Sequence, residues 1–214
     1  MTKGIRILFT RYTMVSAHLS IIPEFLEKIT LLGFESIFSI NKSEVVNLGN
    51  QSDILFRGIK TSSGNQTASL KSLQGISTWC LDESEELIDE DIFDTIDLSI
   101  REKDIQNRII LILNPVTKEH WIYKRFFEEK GIEGGFNGVK DNVCYIHSTY
   151  LDNIVNLSQS FLERIKSIKH SNFKKYTHKI MGGWLERAEG IVFDNWSIGE
   201  FNPDNLQTSC GMDF

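Results

Sequence analysis

Two adjacent carboxylates, Asp82 and Glu83, directly follow the apolar stretch ISTWCL at residues 76–81. An aspartate at the end of a buried strand can hold Mg²⁺, and a neighbouring carboxylate can polarise the water that attacks a phosphate. A polar residue at the tip of the next strand often completes such a site, and Asn114 follows the apolar run RIILIL at 108–113. These residues predict a nucleotide-hydrolysing site at the carboxyl edge of a sheet.

The spacing of these residues fits one crossover connection. Asp82 and Asn114 are 32 residues apart, which is enough chain for a helix and a return to an adjacent parallel strand. The same acidic residues also fit a plainer interpretation, in which a strand leads into a helix whose first turn is rich in Asp and Glu. In that interpretation Glu85, Glu86 and the acidic residues up to Asp91 form only the solvated start of a helix.

The composition is that of an ordinary globular protein. Of the 214 residues, 41% are apolar and 24% are charged, which excludes wholesale disorder. The formal net charge of −6 argues against a protein that coats nucleic acid by bulk charge. The three cysteines are far apart, no apolar run approaches about 18 residues, and the N-terminus has no cleavage pattern. We therefore expect a soluble protein of a reducing compartment, without disulfides or a membrane span.

Hydrophobic periodicity predicts the elements that must position these residues. Short apolar runs predict strands at 5–10, 35–39, 53–57, 76–81, 108–113 and 142–147, with another near 45–47. Helical spacing predicts helices at 16–32, 89–100 and 119–130, and after residue 150 at 151–167 and 172–180. The alternation of strands and helices before residue 148 is typical of a largely parallel α/β sheet.

A basic segment lies in the helical part after residue 150. Five lysines contribute to it, namely Lys166, Lys169, Lys174, Lys175 and Lys179. Lysines on a helix can contact the phosphates of a nucleic acid, and more often they only form a solvated surface. The sequence leaves both interpretations open.

Several ordered segments resemble a known family. They are RYT at 11–13, FRGIKTSSG, LKSLQGISTWCLDESEEL, LSIRE, LILNPVTKEHWIYKRFF, YIHSTYLDN and MGGWLERAEGIVFDNW. Together they resemble the large terminase subunit of tailed phages, most closely its PBSX-like branch, nearly from end to end. The resemblance implies a partial P-loop (ASCE) NTPase sheet over 1–148 and a helical lid subdomain over 149–190. A linker and the first strand of an RNase H-like nuclease domain are expected over 191–214.

The resemblance implies roles for individual residues in an ATP-driven motor. Asp82 is expected to hold Mg²⁺ as the Walker B aspartate, Glu83 to activate the attacking water, and Asn114 to act as the coupling residue. Lys71 lies near the position at which some terminases carry a trans-acting basic finger, and Arg101 is the rival candidate for that role.

The same resemblance implies cofactors and partners. They are ATP and Mg²⁺, double-stranded DNA, the portal protein, a small terminase subunit and sister copies in a ring, with no membrane. The intact protein is expected to work in the host cytoplasm, at the procapsid portal, where it pumps DNA and cuts the concatemer. Asp213 resembles the first metal-binding aspartate of the nuclease that makes this cut.

One departure from the family pattern concerns the nucleotide phosphates. No GxxxxGK(S/T) motif occurs in the sequence, and GIKTSSGNQT at 58–67 has the wrong spacing for it. In the family this loop precedes the strand that begins here at residue 5, so we expect it before Met1, and most of the nuclease beyond residue 214. The chain alone is therefore expected not to hydrolyse ATP at a motor-like rate. The alternative function is a catalytically inactive prophage remnant or a partner-binding module.

Overall fold

A sheet of seven strands lies at the centre of the computed structural model, which describes residues 4–61, 64–65, 70 and 73–186. In chain order the strands are β1 (Arg6–Thr13), β2 (Phe38–Asn41), β3 (Glu44–Asn47), β4 (Asp53–Thr61), β5 (Gly64–Asn65), β6 (Ile76–Asp82) and β7 (Arg108–Ile112). Four of them are neighbours in the order β4–β1–β6–β7 and run parallel. β3 pairs antiparallel with β4, β2 with β3, and β5 with β4.

β6 lies inside the sheet, between β1 and β7. Every residue from Ile76 to Leu81 is buried, and only Asp82 at the end of the strand is partly exposed. A strand that is covered on both faces requires an almost continuous apolar run. Ser77, one of its hydroxyl residues, donates a hydrogen bond to the carbonyl oxygen of Arg6 (3.4 Å). The strand therefore delivers Asp82 from the core to the surface.

Helices cover both faces of the sheet. α1 (Met14–Leu19) and α2 (Ile21–Leu31) pack on one face. On the other face lie α3 (Glu90–Asp97) and α4 (Trp121–Tyr123), which continues into a π-helical turn (Lys124–Glu128). Side chains alternate along β4, so Leu55 and Ile59 face α3 and α4, whereas Phe56 faces α2.

An aromatic cluster fills the core beneath α3. The ring centroid of Phe93 lies 5.3 Å from that of Trp79 in β6 and 4.7 Å from that of Trp121 in α4. Trp121 Nε1 donates a hydrogen bond to the carbonyl oxygen of Leu87 (2.6 Å), so its polar edge is satisfied inside the core. This contact ties the loop after β6 to α4.

A hairpin and a helical segment follow the sheet. The hairpin pairs β8 (Gly138–Lys140) with β9 (Val143–Tyr145). A 3₁₀ segment over Tyr150–Asn156 leads to α5 (Gln159–Ser171) and α6 (Phe173–Lys175), which continues as a π-helical turn over Tyr176–Ile180. No helix among the described residues is both long enough and apolar enough to cross a bilayer.

The predicted, largely parallel α/β sheet is confirmed. The strand predicted at 142–147 does not join it, because the chain turns back at Asp141, which has a φ of 53°, and pairs only with β8. The predicted domain boundaries at residues 148 and 190 remain predictions, and residues 191–214 lie outside the described part of the chain.

Two further element predictions were wrong in their boundaries. The strand predicted at 35–39 begins only at Phe38, because Ile37 N–H donates to the carbonyl of Phe34 and closes a 3₁₀ turn first. The helix predicted at 151–167 is divided, because Ser158 has an extended backbone and caps a new helix, α5, with its side chain.

Candidate functional site

The two strands that carry the predicted site end at the same edge of the sheet. In the parallel pair of β6 and β7, Asp82 is opposite Ile112, and Asn114 follows two residues later. Ser84, just beyond β6, donates a hydrogen bond from its hydroxyl to the carbonyl of Ile112 (3.2 Å). The structure therefore brings Asp82, Glu83 and Asn114 to one edge, as their spacing predicts.

Arg11 joins this edge from β1. Its side chain is only 9% exposed, and its Nε lies 3.4 Å from Asp82 Oδ2, while its Nη2 forms an ion pair with Glu83 Oε2. Its Nη1 donates a hydrogen bond to the Ser20 hydroxyl (2.8 Å). One guanidinium group therefore contacts both carboxylates and is itself held by the start of α2.

The position of Arg11 follows from strand register and one glycine. β1 pairs with β6 so that Thr10 is opposite Leu81, which places Arg11 beside Asp82. On the other side Arg11 is opposite Gly58 of β4. A Cβ at Gly58 would lie 2.3 Å from the backbone nitrogen of Met14, so glycine is what allows β1 to turn directly into α1 here.

Glu83 has a left-handed backbone, with φ 48° and ψ 50°. This conformation is strained for a residue with a side chain, and such strain is concentrated at functional sites. It turns the chain out of β6 into the 3₁₀ turn Ser84–Glu86. The Glu83 side chain is 41% exposed, so its carboxylate pairs with Arg11 and also remains accessible to solvent.

Asn114 contacts a third carboxylate rather than Asp82 or Glu83. Its Nδ2 donates to Glu85 Oε1 at 3.4 Å, and the other Glu85 oxygen, Oε2, is buried without a hydrogen-bond partner among the described residues. The backbone carbonyl of Glu85 lies 3.2 Å from His120 Nε2. His120 Nδ1 accepts the Ile122 N–H (3.2 Å), so Nε2 carries the proton and donates to that carbonyl.

Burial dominates the electrostatics of the titratable side chains here. It raises the pKa of Asp82, with the nearby Arg11 acting to lower it and Glu24 to raise it. Burial also lowers the pKa of His120, against the raising effect of the Glu85 backbone carbonyl. Both groups are therefore biased towards their neutral forms by the surrounding protein.

The donor set at this edge fits a magnesium ion that is bound largely through other molecules. Among the described residues no group of three or more His, Cys, Asp or Glu could hold a metal ion by itself. Mg²⁺ in nucleotide sites usually takes one or two carboxylates and completes its shell with water and phosphate oxygens. Asp82, partly exposed at a strand end, matches such a single protein ligand, and the orphaned Glu85 oxygen matches a water in the outer shell.

Arg101 is the one remaining predicted site residue that the structure describes, and it is not brought to this edge. Arg101 lies between α3 and β7, and its neighbour Glu102 comes within 3.9 Å of the Cβ position of Gly75, just before β6. Arg101 therefore lies near the amino ends of these strands, and its role as a trans-acting finger stays a prediction. Lys71 and Asp213 lie outside the described residues.

Two site residues were missed by the sequence reasoning. Arg11 appears in the sequence analysis only within the segment RYT, which follows the strand predicted at 5–10. A cation at the carboxyl end of a predicted strand is the signal that could have identified it. Glu85 was assigned to a solvated helix start, and no sequence signal distinguishes it from Glu86.

Solved large terminases have the same fold. The large terminase of a thermophilic bacteriophage matches with a TM-score of 0.67 at 16% identity, over 92% of this chain and 45% of that one. The same terminase in complex with ATP-γ-S matches with a TM-score of 0.57. The ATPase domain of the Thermus phage P74-26 large terminase matches with a TM-score of 0.55 at 12% identity, over 86% and 78%. The HK97 bacteriophage large terminase matches with a TM-score of 0.52 at 13% identity, over 85% and 40%.

The chain spans less than half the length of the first and last of these proteins. None of the curated proteins matches it. The family model for the phage terminase large subunit matches residues 1–183. The chain therefore belongs to the phage terminase large subunit family.

Proposed function

We propose that this chain forms part of a phage DNA-packaging motor, in which hydrolysis of Mg-ATP drives double-stranded DNA into the procapsid. The observation that carries the proposal is the meeting of Asp82, Glu83 and Asn114 at the carboxyl edge of parallel strands. Nucleotides bind at this edge in open α/β sheets. The ATP-γ-S complex of a terminase with the same fold supports the choice of nucleotide.

Each residue has a role that its environment supports. Asp82 is the ligand for Mg²⁺, which when bound supplies positive charge to the phosphates. Glu83 orients and polarises the attacking water, because its carboxylate is accessible and its backbone is fixed by the turn after β6. Asn114 lies one strand further on, where its amide can respond to the nucleotide through its contact with Glu85.

Arg11 restrains the two carboxylates before the nucleotide binds. Its guanidinium group offsets one of the two negative charges of Asp82 and Glu83, which helps both to lie near each other at the edge of the core. We infer that Asp82 would hold a magnesium ion, whose positive charge would oppose the contact of Arg11 with Asp82, so that Glu83 would be the main partner of Arg11.

The phosphate cradle is the element that these 214 residues do not encode as a recognisable motif. We infer that a GxxxxGK(S/T) loop from outside this sequence holds the β- and γ-phosphates in the working motor. The portal protein, a small terminase subunit, sister copies in a ring and a metal-dependent nuclease are further parts of the proposal. In it Lys71 or Arg101 serves as the trans-acting finger, and Asp213 as a nuclease ligand.

The test uses Glu83→Gln in the complete packaging protein that contains this chain, with Glu86→Gln as the matched control. Because a general base contributes at least about 100-fold, Glu83→Gln should reduce ATP turnover and DNA packaging by that factor. Glu86→Gln should change neither, since Glu86 is exposed and is the last residue of the 3₁₀ turn. Equal activity of the Glu83→Gln protein and the unchanged protein would rule out the proposed site.

A second candidate function is a binding module without catalysis. The observation that favours it is the lack of a phosphate-binding motif, together with a site whose two carboxylates are already in contact with Arg11. Measurement of ATP turnover by the purified chain tests this second candidate function. If the purified chain hydrolyses ATP rapidly with Mg²⁺ and Glu83→Gln abolishes this activity, the chain is not a binding module. The same result would contradict our expectation that the chain alone does not hydrolyse ATP at a motor-like rate.

A further inference from the structure

The positive charge of the chain is concentrated in its last described helices. Residues 159–180, which form α5, α6 and the π-helical turn after them, carry six cationic side chains and one carboxylate, Glu163. The whole chain, by contrast, has 29 acidic and 23 basic residues. The six cations are Arg164, Lys166, Lys169, Lys174, Lys175 and Lys179.

All six cationic side chains are exposed. In the described part of the chain, none of them has a carboxylate within 4 Å, although lysines and arginines elsewhere in the molecule form such ion pairs. The single carboxylate of the segment, Glu163, accepts a hydrogen bond from Gln159 Nε2 (3.1 Å). The charge of this surface is therefore not compensated by neighbouring side chains.

Two tyrosines, one in the 3₁₀ segment before α5 and one in the π-helical turn after α6, contact each other beside this surface. Tyr176 is buried, Lys169 Nζ lies 5.2 Å above its ring, and its hydroxyl lies 3.4 Å from that of Tyr150. The pKa of Tyr150 is raised, first by its hydrogen bond with Tyr176, while the charges of Lys169 and Lys166 act in the opposite direction. Lys169 of α5 thus lies over a buried ring of the π-helical turn that follows α6.

The extent of this surface suits a short row of phosphates. The cations of α5, from Arg164 to Lys169, extend over about 7.5 Å of helix, and duplex DNA carries a phosphate every 3.4 Å or so along each strand. Five of the six cations are lysines, which contact phosphates as point charges and do not have the planar fork that reads guanine edges. A partner of regular, dense negative charge fits this surface without any need for a particular sequence.

We propose that the cationic surface of α5 and α6 binds the phosphate backbone of duplex DNA without reading its sequence. The proposal rests on the packaging function proposed above, because a motor that moves a whole genome must hold DNA of any sequence. It assigns the DNA contact to the helical part of the chain, separate from the edge that carries Asp82 and Glu83.

The test measures binding of the complete chain to two unrelated duplexes of about 30 base pairs by fluorescence anisotropy, at 50 and 200 mM salt. The variant combines Lys166→Glu, Lys175→Glu and Lys179→Glu, and it leaves Lys169 in place because that side chain packs on Tyr176. The control combines Lys42→Glu, Lys103→Glu and Lys124→Glu, three exposed lysines on other elements with the same change of charge.

The variant should bind both duplexes at least 10-fold more weakly, and the control should bind them within about twofold of the unchanged chain. The salt dependence should fall by roughly 0.9 in the slope of log K against log salt for each phosphate contact that is lost. Circular dichroism checks that the variant is folded. If it is not, the corresponding three Lys→Gln substitutions are used, with a smaller loss expected in the same direction.

Three results would overturn the proposal. The first is unchanged DNA binding by the variant, and the second is an equal loss of binding in the control. The third is that polyglutamate competes with the labelled duplex as well as unlabelled DNA does at the same concentration of negative charge, which would indicate an acidic protein partner. The chain with Glu83→Gln should bind DNA normally. In the packaging protein, the same substitution should reduce packaging while DNA binding stays intact. The two proposals are therefore tested separately, since each can fail without the other.

Discussion

Arg11 and Glu83 form an ion pair across the neighbouring strands β1 and β6. The same guanidinium group lies 3.4 Å from Asp82, and its side chain is only 9% exposed. A buried cation that contacts two adjacent carboxylates offsets one of their two negative charges before any ligand binds. The stability of this edge and its chemistry therefore depend on one arginine.

Replacement of Arg11 should destabilise the protein. Arg11→Met leaves Asp82 and Glu83 side by side without their cation, and removing one partner of a buried ion pair costs about 3–5 kcal/mol. The carboxylates are 24% and 41% exposed, so water compensates part of this loss and we expect about 1–3 kcal/mol at pH 7. Urea unfolding measures the change.

Arg108→Met is the matched control, because Arg108 is exposed and its side chain hydrogen-bonds only to Gln106 among the described residues. Its effect should stay below about 0.5 kcal/mol. Combining Arg11→Met with Glu83→Gln should restore part of the lost stability, since no unpaired charge then remains at Glu83. Purely additive effects in this double-mutant cycle would contradict the ion pair.

The titration of Asp82 should respond to its two charged neighbours in opposite directions. Burial raises its pKa above the ordinary value of 3.8, Arg11 acts to lower it, and Glu24 acts to raise it. Arg11→Met should therefore raise the pKa further, and Glu24→Gln should lower it. NMR of the Asp82 carboxyl carbon measures both shifts, and Glu27→Gln, on the exposed side of α2, should leave the titration unchanged.

The sign of the linked stability follows from this raised pKa. The folded state disfavours the charged form of Asp82, so the associated destabilisation is complete above the raised folded pKa and disappears as the pH falls towards 3.8. Asp82→Asn should therefore flatten the pH dependence of stability in that window. A steeper dependence in the variant would show that Arg11, rather than burial, dominates the environment of Asp82.

The meeting of Asp82 and Asn114 could be predicted from the sequence for a simple reason. Both residues follow apolar runs, the chain between them is long enough for one crossover, and parallel neighbours end at the same edge. The sequence could also indicate β6, because buried parallel strands have few polar residues, whereas the equally apolar run of β7 gives no sign that its residues alternate between exposed and partly buried. These are local properties of short segments.

The Arg11 contacts could not be predicted in this way. They depend on the register between β1 and β6 and on the close approach of Gly58 to Met14, which are tertiary properties. The left-handed backbone of Glu83 is equally invisible, because a glutamate gives no signal for that conformation. The hairpin of β8 and β9 was missed since a short apolar run predicts a strand but not its partner.

His120 should make the protein sensitive to mild acid. Its Nδ1 accepts the Ile122 N–H, and protonation would place a second proton against that donor. Its pKa is lowered by burial, so the unfolded chain binds a proton more readily, and stability is lost as the pH falls from about 6.5 towards the lowered folded pKa. The slope from this residue is at most about 1.4 kcal/mol per pH unit.

Urea unfolding at pH 7.5 and 5.5 measures this effect. His120→Asn keeps a side chain that can cap α4 and removes the titration, so the difference in stability between the two pH values should shrink. His18→Asn is the control, because His18 is exposed on α1 and should leave that difference unchanged. The same difference in the unchanged protein and in the His120→Asn protein would exclude His120 as its source.

Cys80 should react with thiol reagents only when the sheet opens. It lies on β6, two residues before Asp82, is 9% exposed, and burial raises the pKa of its thiol to about 11. The thiolate is the reactive form, so at pH 8 few molecules can react. In a chain with Cys144→Ser and Cys210→Ser, Ellman's reagent should modify Cys80 at least about 100-fold more slowly in the folded protein than in the protein unfolded by urea.

The control is a chain that keeps only Cys144, which is exposed and should react promptly in both conditions. Rapid modification of native Cys80 would mean that β6 is open to solvent, and Asp82 could not then be held at the end of a buried strand.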